Sequence, residues 1–594
     1  MRRIVHNGAL LTICVLCHCQ KPSVADGPAR LQPHRNPIDL VLLDPPNADR
    51  AIVANHTADS IALVDLERGT IVAEAPAGKR PAAVAAHPDG KIIAVSNHWS
   101  HDVMLFAVAN DKLIKQASIP VGSLPRGVLF SKSGDQLFVA VAGADEIAVI
   151  DVAGRKVTRR WPAPREPRQL ALSPDGKWLA AASSRSGEIR CWNAQTGQLH
   201  WERQIDAAFN LRGLSFTPDG QAIVCAHVIR RDLPVTRGHI EEGWIIDSRL
   251  TRLPLQADAK PPYLQIALDV RGEAMGDPHG LAFNADGKLL AVTGSGSHEL
   301  ILLHTDHLPW NTDPGDFIDG RLLDGTQYRR VALGGRPLTA AFAGDRIVVA
   351  NYLRDAVNVI DIRQKKQMQT ILLGGPKEPS LARDGEALFY DAKRSHNQWF
   401  SCHTCHTEGH TSGMNFDTLN DDSFGTPKLT PSLRNVAKTG PWTWHGWQKD
   451  LGAAIAKSFS DTMYGPPPSK RDVQAVLAFL ETLEPPPLPK KVDPAIARGA
   501  DLFSDKARCA RCHRPPLYTS PEIYDVKLDS GGSPHQGYNP PSLIGLSDRG
   551  PFMHDGRAKT LEEVLRTWHT PRHIGGAALS ADEERDLLAF LHSL

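Results

Sequence analysis

His87-Pro88-Asp89-Gly90-Lys91-Ile92-Ile93-Ala94-Val95 is a tight turn that runs straight into a β-rich stretch, and this grammar returns along most of the chain. Ser173-Pro174-Asp175-Gly176-Lys177 and Thr217-Pro218-Asp219-Gly220 repeat the turn. Degenerate copies stand at Ser133-Gly134-Asp135, Asp286-Gly287-Lys288, Gly344-Asp345-Arg346 and Asp384-Gly385-Glu386. With the turn glycines at 90, 134, 176, 220, 287, 344 and 385, four of the six spacings fall between 41 and 44 residues. Each turn leads to one short apolar run and then, past a polar turn, to a second, as in Val103-Met104-Leu105-Phe106-Ala107-Val108. Short strands joined by Asp-Gly turns at this period describe a propeller, with one four-stranded blade per repeat. A lone blade cannot bury its two faces, so the ring must close. The repeats predict an all-β propeller over residues 35–395, with seven blades closed by pairing of the chain ends; eight blades remain an alternative.

Two spacings are stretched by insertions, at 228–275 and about 305–328, both rich in Pro, Asp and Arg. Long loops on a rigid scaffold serve either as contacts to a partner or neighbouring domain, or as tolerated surface excursions. The histidines of the repeat region (His98, His101, His227, His239, His279) show no metal-ligand spacing and read as solvated or core residues. Val53-Ala54-Asn55 through Ile61-Ala62-Leu63-Val64-Asp65, and Val349-Ala350-Asn351-Tyr352 through Val357-Asn358-Val359-Ile360-Asp361, resemble the YVTN family of bacterial propeller repeats.

Past the repeats the pattern changes. Ser401-Cys402-His403-Thr404-Cys405-His406 is followed 107 residues later by Arg508-Cys509-Ala510-Arg511-Cys512-His513. CxxCH is the attachment sequence of c-type haem. On a helix, residues i, i+3 and i+4 share a face, so two thiols reach the vinyl groups while the histidine meets the iron from the same side. A four-cysteine zinc site is the competing reading, but its CxxC pairs usually stand only about 15–20 residues apart. Downstream landmarks repeat as well: Pro431-Ser432-Leu433 as Pro541-Ser542-Leu543, Gly440-Pro441 as Gly550-Pro551, His445-Gly446 as Asp555-Gly556, and Leu477-Ala478-Phe479-Leu480 as Leu588-Ala589-Phe590-Leu591. The offsets are 110, 110, 110 and 111 residues. Two mostly α-helical c-type cytochrome domains are therefore expected at 396–488 and 489–594, joined by the proline-rich stretch Glu484 to Pro489 and carrying two covalently bound haem c groups.

The chain of 594 residues exceeds what one core supports, so several domains are expected. Its 67 Lys plus Arg balance 66 Asp plus Glu, which leaves no electrostatic footprint for nucleic acid or an anionic membrane. Arg2 and Arg3 precede an apolar run from Gly8 to Cys17, which reads as a signal peptide at 1–22 and is too short to span a bilayer. A periplasmic or otherwise exported protein is expected, with no transmembrane segment after signal removal. Lipid modification of Cys14, Cys17 or Cys19 stays open, although none follows a small residue. Cys191 and Cys225 either pair or are simply buried.

The region 396–594 resembles the diheme bacterial cytochrome c peroxidase family, which includes the methylamine dehydrogenase maturation enzyme. The likeness is strongest in Pro541-Ser542-Leu543 through Gly550-Pro551-Phe552-Met553-His554-Asp555-Gly556-Arg557 and in Thr560-Leu561-Glu562-Glu563-Val564. In that family one haem receives electrons and the other reacts with peroxide. The resemblance implies His406 and His513 as iron ligands and Met553 as a sixth ligand to the second haem, the alternative being a core methionine. The first unit departs from the pattern, with Thr443 at the methionine position and Trp442 and Gly452 where the distal glutamine and glutamate are expected. Its haem is either open or bound by His445, Met414 or Met463. His445 is also the one nearby candidate for catalytic acid/base work. The reading at this stage is an exported diheme cytochrome transferring electrons to or from a redox partner protein; the alternative is a peroxidase-type oxidoreductase with hydrogen peroxide as its small-molecule substrate.

Overall fold

The computed structural model describes residues 33–43, 49–364, 366–489, 493–528 and 532–594. The expected signal peptide lies outside the described residues. Among these, strands from 37 to 372 form seven four-stranded antiparallel sheets, one per blade, each taken from contiguous chain. The Pro-Asp-Gly turns connect the first and second strands of their blades, as between Pro81–Ala86 and Ile92–Asn97, where Gly90 stands at φ 67°. A left-handed residue immediately precedes the first, innermost strand in five blades (Asn36, Arg80, Leu124, Glu166 and Asp277) and stands third within Ala208–Phe216 (Asn210), all with φ between 47° and 56°.

The ring closes in a different way from the expected pairing of chain ends. The first blade is built wholly from 37–76 and the last from 337–372, and neither lends a strand to the other. Their faces pack instead, with Leu40, Val53 and Val64 against Val348, Val357 and Ile371. Asp39 adds a polar clasp, accepting from Thr339 Oγ1 at 2.9 Å and from Val84 N at 3.0 Å. Burial pushes its carboxyl up to about 6. Cys191 and Cys225 are separate, buried thiols in one cluster.

The propeller also stops earlier than residue 395. Its last strand is Lys366–Leu372, and Asp384-Gly385-Glu386 lies inside a helix, Leu381–Phe389. That helix crosses Lys470–Leu480 at Gly385, where a Cβ would stand 1.9 Å from Ala475 O. In the second unit Pro494–Ser504 crosses Ala581–Leu591 at Gly499 in the same way, 2.1 Å from Asp586 O. Gly385 is needed for a helix crossing, not for a turn, and the first cytochrome unit begins with this helix. The duplication was legible one step further upstream, since Arg383-Asp384-Gly385-Glu386-Ala387-Leu388-Phe389 parallels Ala497-Arg498-Gly499-Ala500-Asp501-Leu502-Phe503.

The 228–275 insertion serves as a domain contact. Val235, Ile240, Ile245 and Ile246 share one core with Phe389, Trp399, Phe416 and Phe459 of the first cytochrome unit. The second insertion stays with its own blades, burying Leu308, Ile318 and Leu322 beside Leu290 and Ile301.

Candidate haem centres at the propeller mouth

Cys402, Cys405 and His406 are brought together by the short helix Cys402–Cys405, which Ser401 caps in a reciprocal box with Thr404. His406 Nδ1 donates to the Pro431 carbonyl at 2.9 Å. In the second unit His513 Nδ1 stands 3.1 Å from the Pro541 carbonyl, the equivalent proline. Anchoring Nδ1–H to a carbonyl fixes the tautomer in which Nε2 carries the free lone pair. Burial lowers both imidazoles to about 4, so each is neutral, as a metal ligand must be. The four thiols of the two motifs are unpaired. These residues fit covalent haem with an axial histidine, in both units.

The loops at Thr443 and Met553 also match. Trp442 bridges Gln448 as Phe552 bridges Ala558, and Thr443 and Met553 share the left-handed region at φ 74° and 71°. A β-branched residue there is strained, so the loop shape is imposed by the fold. Thr443 Oγ1 is buried without a partner. Trp442 Nε1 is committed to Val436 O at 2.8 Å, and Gly452 lies in the first turn of the helix Leu451–Lys457. Met463 Sδ lies 4.0 Å from Cys402 Sγ, at the thiol side of the first centre.

His445 sits at the seam between the units. Its Nδ1 donates to Gly537 O at 2.7 Å, and its ring lies 4.8 Å from that of Tyr538. Tyr538 in turn lies 4.9 Å from the His554 ring. Burial lowers the His445 imidazole below its ordinary value, and Nε2 is buried without a partner.

The two attachment segments face different surroundings. In the first, Ser401, His403 and Thr404 are 0–3 % exposed against the propeller. Asp277 accepts from Ser401 Oγ at 2.5 Å and from Thr404 Oγ1 at 2.6 Å, while Asn210 Nδ2 donates to Thr404 O at 3.0 Å. Arg336 Nη2 lies 3.4 Å from His403 Nε2. Glu408 meets Arg126 at 2.8 Å, Arg168 at 2.6 Å and Arg212 at 3.2 Å, from three consecutive blades. The second segment has no such cover, and Arg508, Arg511 and Arg514 around it are exposed. Asp548 ties the three bodies together: its carboxylate pairs with Arg434 of the first unit at 2.6 Å, and its carbonyl accepts from propeller Arg185 at 3.2 Å. None of these propeller contacts was foreseen from the sequence. The one available signal was the polar residue recurring at the inner-strand start, in Pro125-Arg126, Pro167-Arg168, Leu211-Arg212 and Pro278-His279.

Comparison with known proteins agrees with this architecture. Residues 380–483 match the di-haem cytochrome c peroxidase family, residues 50–158 the lactonase seven-bladed β-propeller family, and residues 158–193 the WD domain, G-beta repeat. Methylamine utilization protein MauG of Methylorubrum extorquens is 27% identical over 289 residues, covering 37% of this chain and 79% of its own. Hydrazine synthase subunit beta of Kuenenia stuttgartiensis is 31% identical over 177 residues, covering 28% and 45% respectively. The solved hydrazine synthase structure from the same organism aligns with a TM-score of 0.51 and 25% identity, over 57% of this chain and 98% of its own. The chain thus joins a seven-bladed β-propeller to a C-terminal region that resembles the di-haem cytochrome c peroxidases, and a haem-based redox function follows.

Proposed function

We propose that this protein is an exported two-haem electron-transfer protein in which the second centre is the port for a redox partner and the first is an internal site. The difference between the two attachment segments carries this reading. One is sealed into the propeller mouth, and the other is rimmed by exposed Arg508, Arg511 and Arg514. Haem supplies a one-electron iron couple, and the chain supplies everything that positions and tunes it. Cys402 and Cys405 would hold the first group and Cys509 and Cys512 the second, with His406 and His513, oriented by the Pro431 and Pro541 carbonyls, offering Nε2 to the iron. Met553, carried on its left-handed loop, would supply a thioether to the iron of the second centre, and such a ligand raises the potential. Tyr538, its ring tilted against those of His445 and His554, fills the seam that joins the two units.

A peroxidase reading has one observation in its favour. Thr443 Oγ1 and His445 Nε2 are buried polar atoms with no partner, available to a small ligand. Against it, Trp442 and Gly452 offer no acid or base. A relative, cytochrome-c peroxidase IdrP1 of Denitromonas iodatirespirans, also supports the peroxidase reading. A pyridine haemochrome assay with iron analysis on exported protein should give two haems per chain, and one haem or zinc would overturn the proposal. Carbon monoxide spectra of the reduced protein, followed by stopped-flow mixing with peroxide, separate the two activities. Turnover at ordinary peroxidase rates would favour the second reading.

A further inference from the structure

Arg126 and Arg168 stand second in the first strands of their blades and Arg212 midway along Ala208–Phe216 of the next blade, and the three converge on one carboxylate, Glu408. Glu408 stands two residues beyond His406, and two residues of chain span at most about 7 Å. The arginines are sheltered from solvent, with Arg168 8 % and Arg212 5 % exposed, while the Glu408 side chain is 25% exposed. Glu166 joins it, meeting Arg168 and Arg185 at 2.6 and 2.5 Å. Four guanidinium groups therefore face two carboxylates. Arg212 keeps Nε and Nη2 buried without a partner, so its charge is only partly matched. Structural anchoring alone is met by the hydrogen bonds of Asp277 and Asn210 to the same segment. The surplus of charge needs another account.

We propose that this arginine arc and Glu408 set the reduction potential of the first haem, making the propeller an electrostatic part of that centre. The inference rests on the two-haem reading above. An oxidised haem carries one more positive charge than a reduced one, so buried cations nearby favour the reduced form and a buried anion favours the oxidised form. Little solvent screens the arginines, Glu408 is partly exposed, and a unit charge about 10 Å away at an effective dielectric near 20, the value suited to partly screened groups, changes the reduced-to-oxidised ratio on the order of tenfold. The arc thus holds the first haem more readily reduced than the segment's local chemistry would, with Glu408 trimming the effect while it anchors the segment.

The test is a spectroscopic redox titration of the full holoprotein and of two single variants, Glu408→Gln and Arg212→Gln, with the second haem as internal reference. Glu408→Gln should raise the reduced fraction of the first haem at fixed solution potential by about tenfold, and Arg212→Gln should lower it by a similar factor. The second haem should move little in either. Shifts of the same sign in both variants, equal shifts of both haems, or no shift would overturn the proposal. If one variant fails to attach its first haem, the other decides the question by the sign of its shift. Absence of the first haem from the parent protein is a different result, visible in the haemochrome count, and it refutes the two-haem reading instead.

Discussion

Asp548→Asn probes the point where the propeller and both cytochrome units meet. Asp548 and Arg434 are 11% and 12% exposed and lie 2.6 Å apart. His410 Nε2 stands 3.6 Å from the other carboxylate oxygen. Burial alone would raise the Asp548 carboxyl, but the Arg434, His410 and Arg185 charges outweigh it and hold it well below the usual carboxylate range. A depressed folded pKa means that the stabilisation is present above the ordinary carboxylate range and is lost as pH falls through the folded value. Asparagine keeps the size and the backbone carbonyl that Arg185 uses, but leaves Arg434 as a buried cation without its partner. Breaking a buried pair from one side costs about 3–5 kcal/mol. With both side chains about one-tenth exposed, the lower end applies, about 3 kcal/mol, or roughly a hundredfold in a local opening equilibrium. Hydrogen–deuterium exchange should show that acceleration in the amides of 546–550 and 407–411, with the distant first and second blades unchanged. Exchange within a factor of about two of the parent at both segments, or acceleration spread evenly over the propeller, would refute the junction as described.

Met553→Ala should lower the potential of the second haem and remove any sulfur-to-iron charge-transfer band from its oxidised spectrum, leaving the first haem's spectrum unchanged; a spectrum identical to the parent would exclude methionine ligation. Asp39, with a folded pKa of about 6 against a reference value of 3.8, costs stability progressively as pH rises from about 4 through 6, by up to about 3 kcal/mol. Asp39→Asn should therefore flatten that decline and stabilise the propeller at pH 7–8, as read from urea midpoints by tryptophan fluorescence across pH. A retained pH slope would assign it elsewhere. Without a distal acid/base pair, peroxide turnover should be about 10²–10⁴-fold below that of an enzyme possessing one. Fast turnover abolished by His445→Ala would make that imidazole the acid/base, and fast turnover surviving it would refute the pocket described above.

Local chemistry alone made much of this protein legible. A turn glycine with Pro-Asp before it acts within a few residues, so its period along the chain announces blades whatever lies between them. CxxCH is likewise self-sufficient, because thiols and imidazole must reach one haem from one segment, and the 110-residue offsets of Pro431, Gly440 and His445 carried the duplication. Gly385 shows where local reading fails, since Asp-Gly-Glu suits a turn and a helix crossing equally; the distant parallel with residues 497–503 and the Ala475 carbonyl 1.9 Å from its missing Cβ tell them apart. The closure of the ring was equally out of reach, because strand exchange and face packing impose the same apolar alternation on the first and last blades. The propeller's part in the first haem centre was decided by tertiary structure alone. Arg126, Arg168 and Arg212 stand 42 and 44 residues apart along the chain and some 200 or more before Glu408. Each alone reads as a solvated surface charge; only curling seven blades into a ring brings the three to one carboxylate and withdraws the water that would otherwise screen them.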